Sequence, residues 1–92
     1  MVKIQLYLTD FRSLINGLQF TNSEPFHYVF YYEIPDKIYF YKFYAGVLYC
    51  VELIKRDLPI DLSPDSLKQE FKAVEVPAEV IPERKAIQIN TA

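Results

Sequence analysis

The chain contains one histidine, His27, and one cysteine, Cys50. A thiolate–imidazole pair could therefore be built in only one way, with the two side chains within hydrogen-bond reach. Both residues lie in runs of β character, and pairing across two-residue hairpin turns places them on opposite faces of the sheet. His27, between Phe26 and Tyr28, reads as a structural or surface residue, and Cys50 as a small buried hydrophobe. Ser13, Ser23 and Ser66 carry no second signal for a nucleophile, and Ser63 is better explained as a helix cap. Two glycines leave no phosphate-cradling loop. One cysteine leaves no internal disulfide or multi-cysteine metal site, and no group of ligand-type residues has metal spacing. The expectation is a protein that is not an enzyme and uses no cofactor, metal or small-molecule substrate.

Charge is more informative than any motif. Residues 57–83 contain Asp57, Asp61, Asp65, Glu70, Glu75, Glu79 and Glu83 against only Lys68 and Lys72. The rest of the chain leans slightly basic, and the whole has a net charge of -2 and a pI near 5.3. Acids recurring every four or five residues are most often the solvated side of elements whose apolar side is buried. They also form a strip that suits a basic, nucleic-acid-binding surface of another protein, and these seven residues are the candidate partner-binding set.

The elements that must position these groups follow from periodicity. Val2, Ile4, Leu6 and Leu8 alternate with polar residues, giving a strand with one core face. Thr9 or Asp10 is the expected cap of a helix whose stripe is Phe11, Leu14, Ile15 and Leu18. Gly17 and the following "TNSEP" close it. Three β runs follow, Phe26–Ile34, Lys37–Ala45 and Val47–Lys55, joined by Pro35–Asp36 and Ala45–Gly46. Connections this short make adjacent antiparallel strands. A second helix has its start signal in full. Ser63 is the N-cap, Pro64 the first helical residue, Asp65 lies at the positive dipole end, and Leu62 and Leu67 form a hydrophobic staple. "VEVPAEVIPE" reads as a Pro-rich extended linker near 74–83, and "KAIQIN" as a last strand. Residues 1–92 thus form one α+β domain of order β-α-β-β-β-α-β. Its expected core is a single, mainly antiparallel five-stranded sheet with two helices on one face.

Sixteen per cent of the chain is aromatic, including eight tyrosines, and the hairpins sort these rings. Two-residue turns oppose Tyr32 with Tyr39, Phe30 with Tyr41, Tyr41 with Cys50, and Tyr39 with Glu52. One face then holds Tyr28, Phe30, Tyr32, Tyr39, Tyr41 and Phe43. The other is more aliphatic, with Val29, Ile38, Phe40, Val51 and Leu53, and is the expected helix side. The ring-rich face is expected to be exposed in a monomer. A patch of that size marks an interface in a soluble protein, so its six aromatic residues are the candidate dimer interface.

An aromatic sheet could also stack nucleobases. However, an acidic chain in which only Lys55–Arg56 and Arg84–Lys85 are adjacent basic residues lacks the usual attraction to phosphate. Nucleic acid is therefore the weaker partner class. No apolar run approaches the ~20 residues of a membrane span, and the first residues carry no cleavage signature. These features fit a soluble intracellular protein that does not enter a membrane.

The meander "YVFYYEIPDKIYFYKFYAGVLYCVEL" and the helices "TDFRSLINGL" and "SPDSLKQEFKA" together resemble, as a pattern over most of the chain, the type I-D anti-CRISPR protein family of crenarchaeal rod-shaped viruses. The resemblance implies a homodimer whose sheet is flanked by two helices. It also implies inhibition by binding the large subunit of the host type I-D CRISPR interference complex, and hence a location in the host cytoplasm. It brings no catalytic residues, and no contact residue is carried over. Two alternatives remain, a small dimeric viral structural or regulatory protein, and a single-stranded nucleic-acid binder using the aromatic sheet face.

Overall fold

The computed structural model describes residues 2–17 and 28–76. Phe26, His27, Leu18, Glu79, Glu83, the linker from 77 and the expected 85–90 strand lie outside them. The described elements are β1 (Val2–Gln5), α1 (Leu8–Gly17), β2 (Val29–Glu33), β3 (Lys37–Tyr44), β4 (Val47–Ile54), a 3-10 turn (Lys55–Asp57), α2 (Pro64–Phe71) and β5 (Val74–Glu75). They form an α+β fold with one five-stranded sheet in the order β1-β4-β3-β2-β5.

The meander has the register its turns dictate. Ile34 and Lys37 exchange backbone hydrogen bonds of 3.0 and 3.3 Å across Pro35–Asp36, and Tyr32 faces Tyr39 while Phe30 faces Tyr41. At the second turn Ala45 and Gly46 take φ values of 52° and 77°. Two successive positive φ values give the turn the twist that matches its flanking strands. Tyr41 then faces Cys50, and Tyr39 faces Glu52.

The sheet is mixed, which corrects the mainly antiparallel expectation. β2–β3 and β3–β4 are antiparallel, but β1 runs parallel to β4 and β5 parallel to β2. Adjacent hairpins specify only their own pairing, whereas the two outer strands arrive from distant parts of the chain. β5 is a second correction. Val74 and Glu75, expected to open the linker, pair with Phe30 and Tyr31, and Val76 N–H extends the ladder to Tyr31 C=O at 2.9 Å.

The helices cover one sheet face. Phe11 of α1 and Leu67 and Phe71 of α2 share a buried cluster with Val29, Ile38, Phe40 and Val51. Three rings tie the layers, with Phe71 edge-on to Phe11 at 5.4 Å and to Phe40 at 5.0 Å between centroids. α2 begins as its sequence dictates. Ser63 Oγ accepts the Ser66 N–H at 3.1 Å, Pro64 opens the helix, and Leu62 and Leu67 both join the cluster. It ends at Lys72, whose φ of 52° is left-handed, with Ala73 N–H closing back on Lys68 C=O at 2.9 Å.

α1 starts earlier than expected. Phe11 N–H bonds to Tyr7 C=O at 2.9 Å, so Thr9 and Asp10 lie inside the first turn instead of capping it. Ser13 Oγ donates to Thr9 C=O at 3.1 Å. Leu8 accordingly packs from the helix and not from the strand. All four residues of β1 are exposed, Val2 at 62% and Ile4 at 38%, so this strand does not have the buried core face its alternation suggested.

Candidate interaction surface

The ring-rich face is closed within the single chain, which overturns its expected exposure. Phe30, Tyr39, Tyr41 and Phe43 retain 5%, 4%, 1% and 9% of their surface, in a cluster with Leu48, Cys50 and Val76. Tyr32 is half-buried against it, and only Tyr28 is open, at 52%. The alternation placed these rings together correctly. What it could not supply was the cover, because burial depends on which distant segments fold over a face. A nucleobase would therefore find no free ring face on Phe30, Tyr39 or Tyr41 to stack against.

The polar groups on this face are partly satisfied. Tyr39 Oη donates to Glu52 Oε2 at 2.7 Å, with Lys37 Nζ 3.6 Å from the same oxygen. Cys50 Sγ donates to Gln5 Oε1 at 3.0 Å, and burial raises the thiol pKa. Cys50 is thus the buried small residue its position implied. Tyr41 Oη has no hydrogen-bond partner among the described residues.

The acidic strip divides into three parts. Glu70 is not a free surface charge, because Arg12 clamps it through Nε and Nη2 at 2.6 and 2.9 Å, joining α2 to α1. Glu75 lies exposed on β5, beside an open cavity of about 540 Å³ bounded by Tyr31, Glu33, Pro35 and Lys55. Asp57, Asp61 and Asp65 remain as the exposed run. Asp57 and Asp65 side chains are 68% and 88% exposed, with only a 3.9 Å contact to Arg56 Nε and a 3.5 Å contact to Lys68 Nζ. Between them Leu62 N–H bonds to Pro59 C=O at 2.9 Å. That turn carries Ile60 and Asp61 at its tip, and Ile60 is fully exposed at 104%.

Ile60 was not singled out in the sequence. Leu58, Ile60 and Leu62 alternate as if all three were buried, but Leu58 and Leu62 pack under the helices while the turn carries Ile60 outward. Pro59 followed two residues later by Asp61 is the available turn signal. Arg12 and Glu70 lie 58 residues apart, and no local pattern links them.

Glu33 anchors α2 to the sheet. Lys55 Nζ reaches its Oε2 and Lys68 Nζ its Oε1, both at 2.6 Å, and Lys68 Nζ also sits 4.7 Å over the Tyr31 ring. Hydrogen bonds from Lys55 and then Lys68 hold the Glu33 carboxyl below its ordinary range. A depressed folded-state pKa adds stability that is complete above the unfolded value, about 4.3, and is lost as pH falls through the folded one. Glu33→Gln should therefore lower stability at pH 7 by no more than about 1 kcal/mol, since the side chains are partly exposed. Urea melts at pH 7 and pH 3 should show the gap between the two proteins closing at the lower pH.

Among the described residues no helix is long and apolar enough to cross a membrane. No family model, no curated protein and no solved structure matches the chain.

Proposed function

We propose that this protein acts by binding a basic surface of another macromolecule, without catalysing a reaction. The observation that carries the reading is the turn at Pro59–Leu62. It projects Ile60 between Asp57, Asp61 and Asp65, with the carboxylates exposed instead of committed to the fold. An exposed apolar side chain on a segment that also carries three exposed carboxylates fits a partner that offers a small apolar pocket with a basic rim. Following the pattern-level resemblance of the meander and both helices, the partner is the large subunit of a type I-D CRISPR interference complex, and binding inhibits it. The acidic docking set is therefore Asp57, Asp61 and Asp65. Glu70 serves the fold instead.

Affinity capture from cells carrying that complex should recover the large subunit with the wild-type protein. Asp57→Asn, Asp61→Asn and Asp65→Asn combined should bind about tenfold more weakly, mostly through slower association, and should lose much of the salt dependence. The circular dichroism spectrum should be unchanged, since none of these side chains is buried. Capture of no interference subunit would remove the inhibitor reading. Equal affinity of the triple variant would return the three carboxylates to a solvated face.

A further inference from the structure

Among the described residues of the acidic set, Glu75 alone borders the cavity of about 540 Å³ at the end of β5. β5 pairs only with Phe30 and Tyr31, so the cavity opens where β2 runs on past it. Ile34, Pro35 and Val76 give its wall apolar surface, and Tyr31 and Tyr32 bring rings to it. Its charges are Glu33, Glu75 and Lys55, two carboxylates against one ammonium. The two carboxylates are not equivalent. Lys55 Nζ lies 2.6 Å from Glu33 Oε2 and Lys68 Nζ 2.6 Å from Glu33 Oε1, so both of its oxygens are engaged. No ion pair among the described residues involves Glu75. Glu75 is thus the carboxylate on this wall that no described cation holds.

We propose that this cavity seats an arginine side chain from the partner's basic surface, with its guanidinium on Glu75. The inference rests on the reading above that the partner is basic, and it adds a second anchor to the acidic turn. The two are contiguous. Lys55 lines the cavity and also opens the 3-10 turn that leads to Asp57. Lys68, bound to Glu33 on the cavity wall, reaches Asp65 at 3.5 Å. One partner can therefore cover both. Arginine suits the cavity better than lysine on each count its wall offers. A carboxylate accepts two parallel N–H bonds from the planar guanidinium fork. The guanidinium also packs flat on an aromatic ring and sheds water at less cost than an ammonium. Lys68 Nζ, 4.7 Å over the Tyr31 ring, shows that this wall already holds a cation against an aromatic ring. The apolar stem of the arginine would lie along Ile34, Pro35 and Val76. The volume lies in the roughly 300–1,000 Å³ range of ligand sites, so head and stem enter together. An arginine sunk in a pocket is a common dominant contact in an interface.

The test needs no partner, so its result is independent of whether capture recovers an interference subunit. N-acetyl-arginine amide is titrated into isotope-labelled protein and the backbone amide resonances are followed. Those of Tyr32, Glu33 and Val76 should shift and saturate, with a Kd on the order of 1–10 mM for so small a ligand. N-acetyl-citrulline amide, of the same shape but uncharged, should not saturate, and the matching lysine amide should bind at least about threefold more weakly. Glu75→Gln should weaken arginine amide binding at least about fivefold while the rest of the spectrum stays as in wild type. Asp10→Asn, which removes one charge from α1 instead, should bind as wild type does. Absence of saturation by about 50 mM, citrulline amide binding equal to that of arginine amide, or undiminished binding by Glu75→Gln would each overturn the site. Tighter binding by Arg84→Gln would show that the chain's own Arg84 competes for the cavity, and would overturn the assignment to a partner.

Discussion

Phe71→Ala is expected to cost about 3–5 kcal/mol, the range for truncating a buried phenylalanine. That is a large share of the roughly 5–15 kcal/mol that stabilises a small domain. Phe71 is 5% exposed at the end of α2 and is edge-on to both Phe11 of α1 and Phe40 of β3. It therefore joins three elements at one point. Each edge-to-face pair contributes about 0.5–1.5 kcal/mol beyond the area buried, and truncation removes both pairs while leaving a cavity between the layers. Nor can the site collapse readily, since Pro64 with the Ser63 cap fixes one end of α2 and the Lys72 closure fixes the other. Urea melts followed by circular dichroism should show a lower midpoint at an unchanged slope. Ile60→Ala, at a fully exposed position, should leave the midpoint where it is. A loss below about 1 kcal/mol for Phe71→Ala would mean that other contacts hold α2 to the sheet.

The contrast between Phe71 and Ile60 marks how far the sequence could be read. Local rules located the meander, its register and both faces, because Pro35–Asp36 and Ala45–Gly46 each allow only a tight turn and strand parity does the rest. Local rules also located the start of α2, where Ser63, Pro64 and Leu67 agree. They failed wherever the answer depended on a distant partner. Val74–Glu75 is a strand only because β2 lies alongside it. Glu70 looked like one more surface acid until Arg12 reached it from the other helix. Tyr39 and Tyr41 were sorted onto the correct face, yet their exposure was misjudged, since alternation says which side a ring occupies and nothing about what covers that side. The candidate site was legible as charge, in Asp57, Asp61 and Asp65, but not as shape, because the turn that projects Ile60 interrupts an apparently continuous apolar alternation.

Tyr41→Phe is expected to act in the opposite direction and stabilise the protein by about 1–3 kcal/mol, the cost of a buried polar group left without a partner. The ring is 1% exposed, stacks on Tyr39 with centroids 6.2 Å apart, and its hydroxyl meets no acceptor or donor among the described residues. Phenylalanine keeps the stack and removes the unpaired oxygen. The two proteins should diverge further in alkali. Burial, and then the nearby Cys50, Tyr39, Tyr32 and Glu52, push the Tyr41 pKa above its ordinary value. Above about pH 10 the unfolded chain therefore releases this proton while the folded chain keeps it. Fewer protons bound in the unfolded state means stability falls as pH rises, by up to about 1.4 kcal/mol per pH unit for this one group. The two proteins differ only in the Tyr41 hydroxyl, so the difference between them reports on that group. Urea midpoints measured from pH 7 to pH 11 should give a gap that is constant up to about pH 9 and widens beyond pH 10. A variant less stable than wild type at pH 7 would show that the hydroxyl has a partner worth keeping. A gap that stays flat through pH 11 would show that the phenol ionises in the folded state as readily as in the unfolded chain, and so is not held in an apolar site.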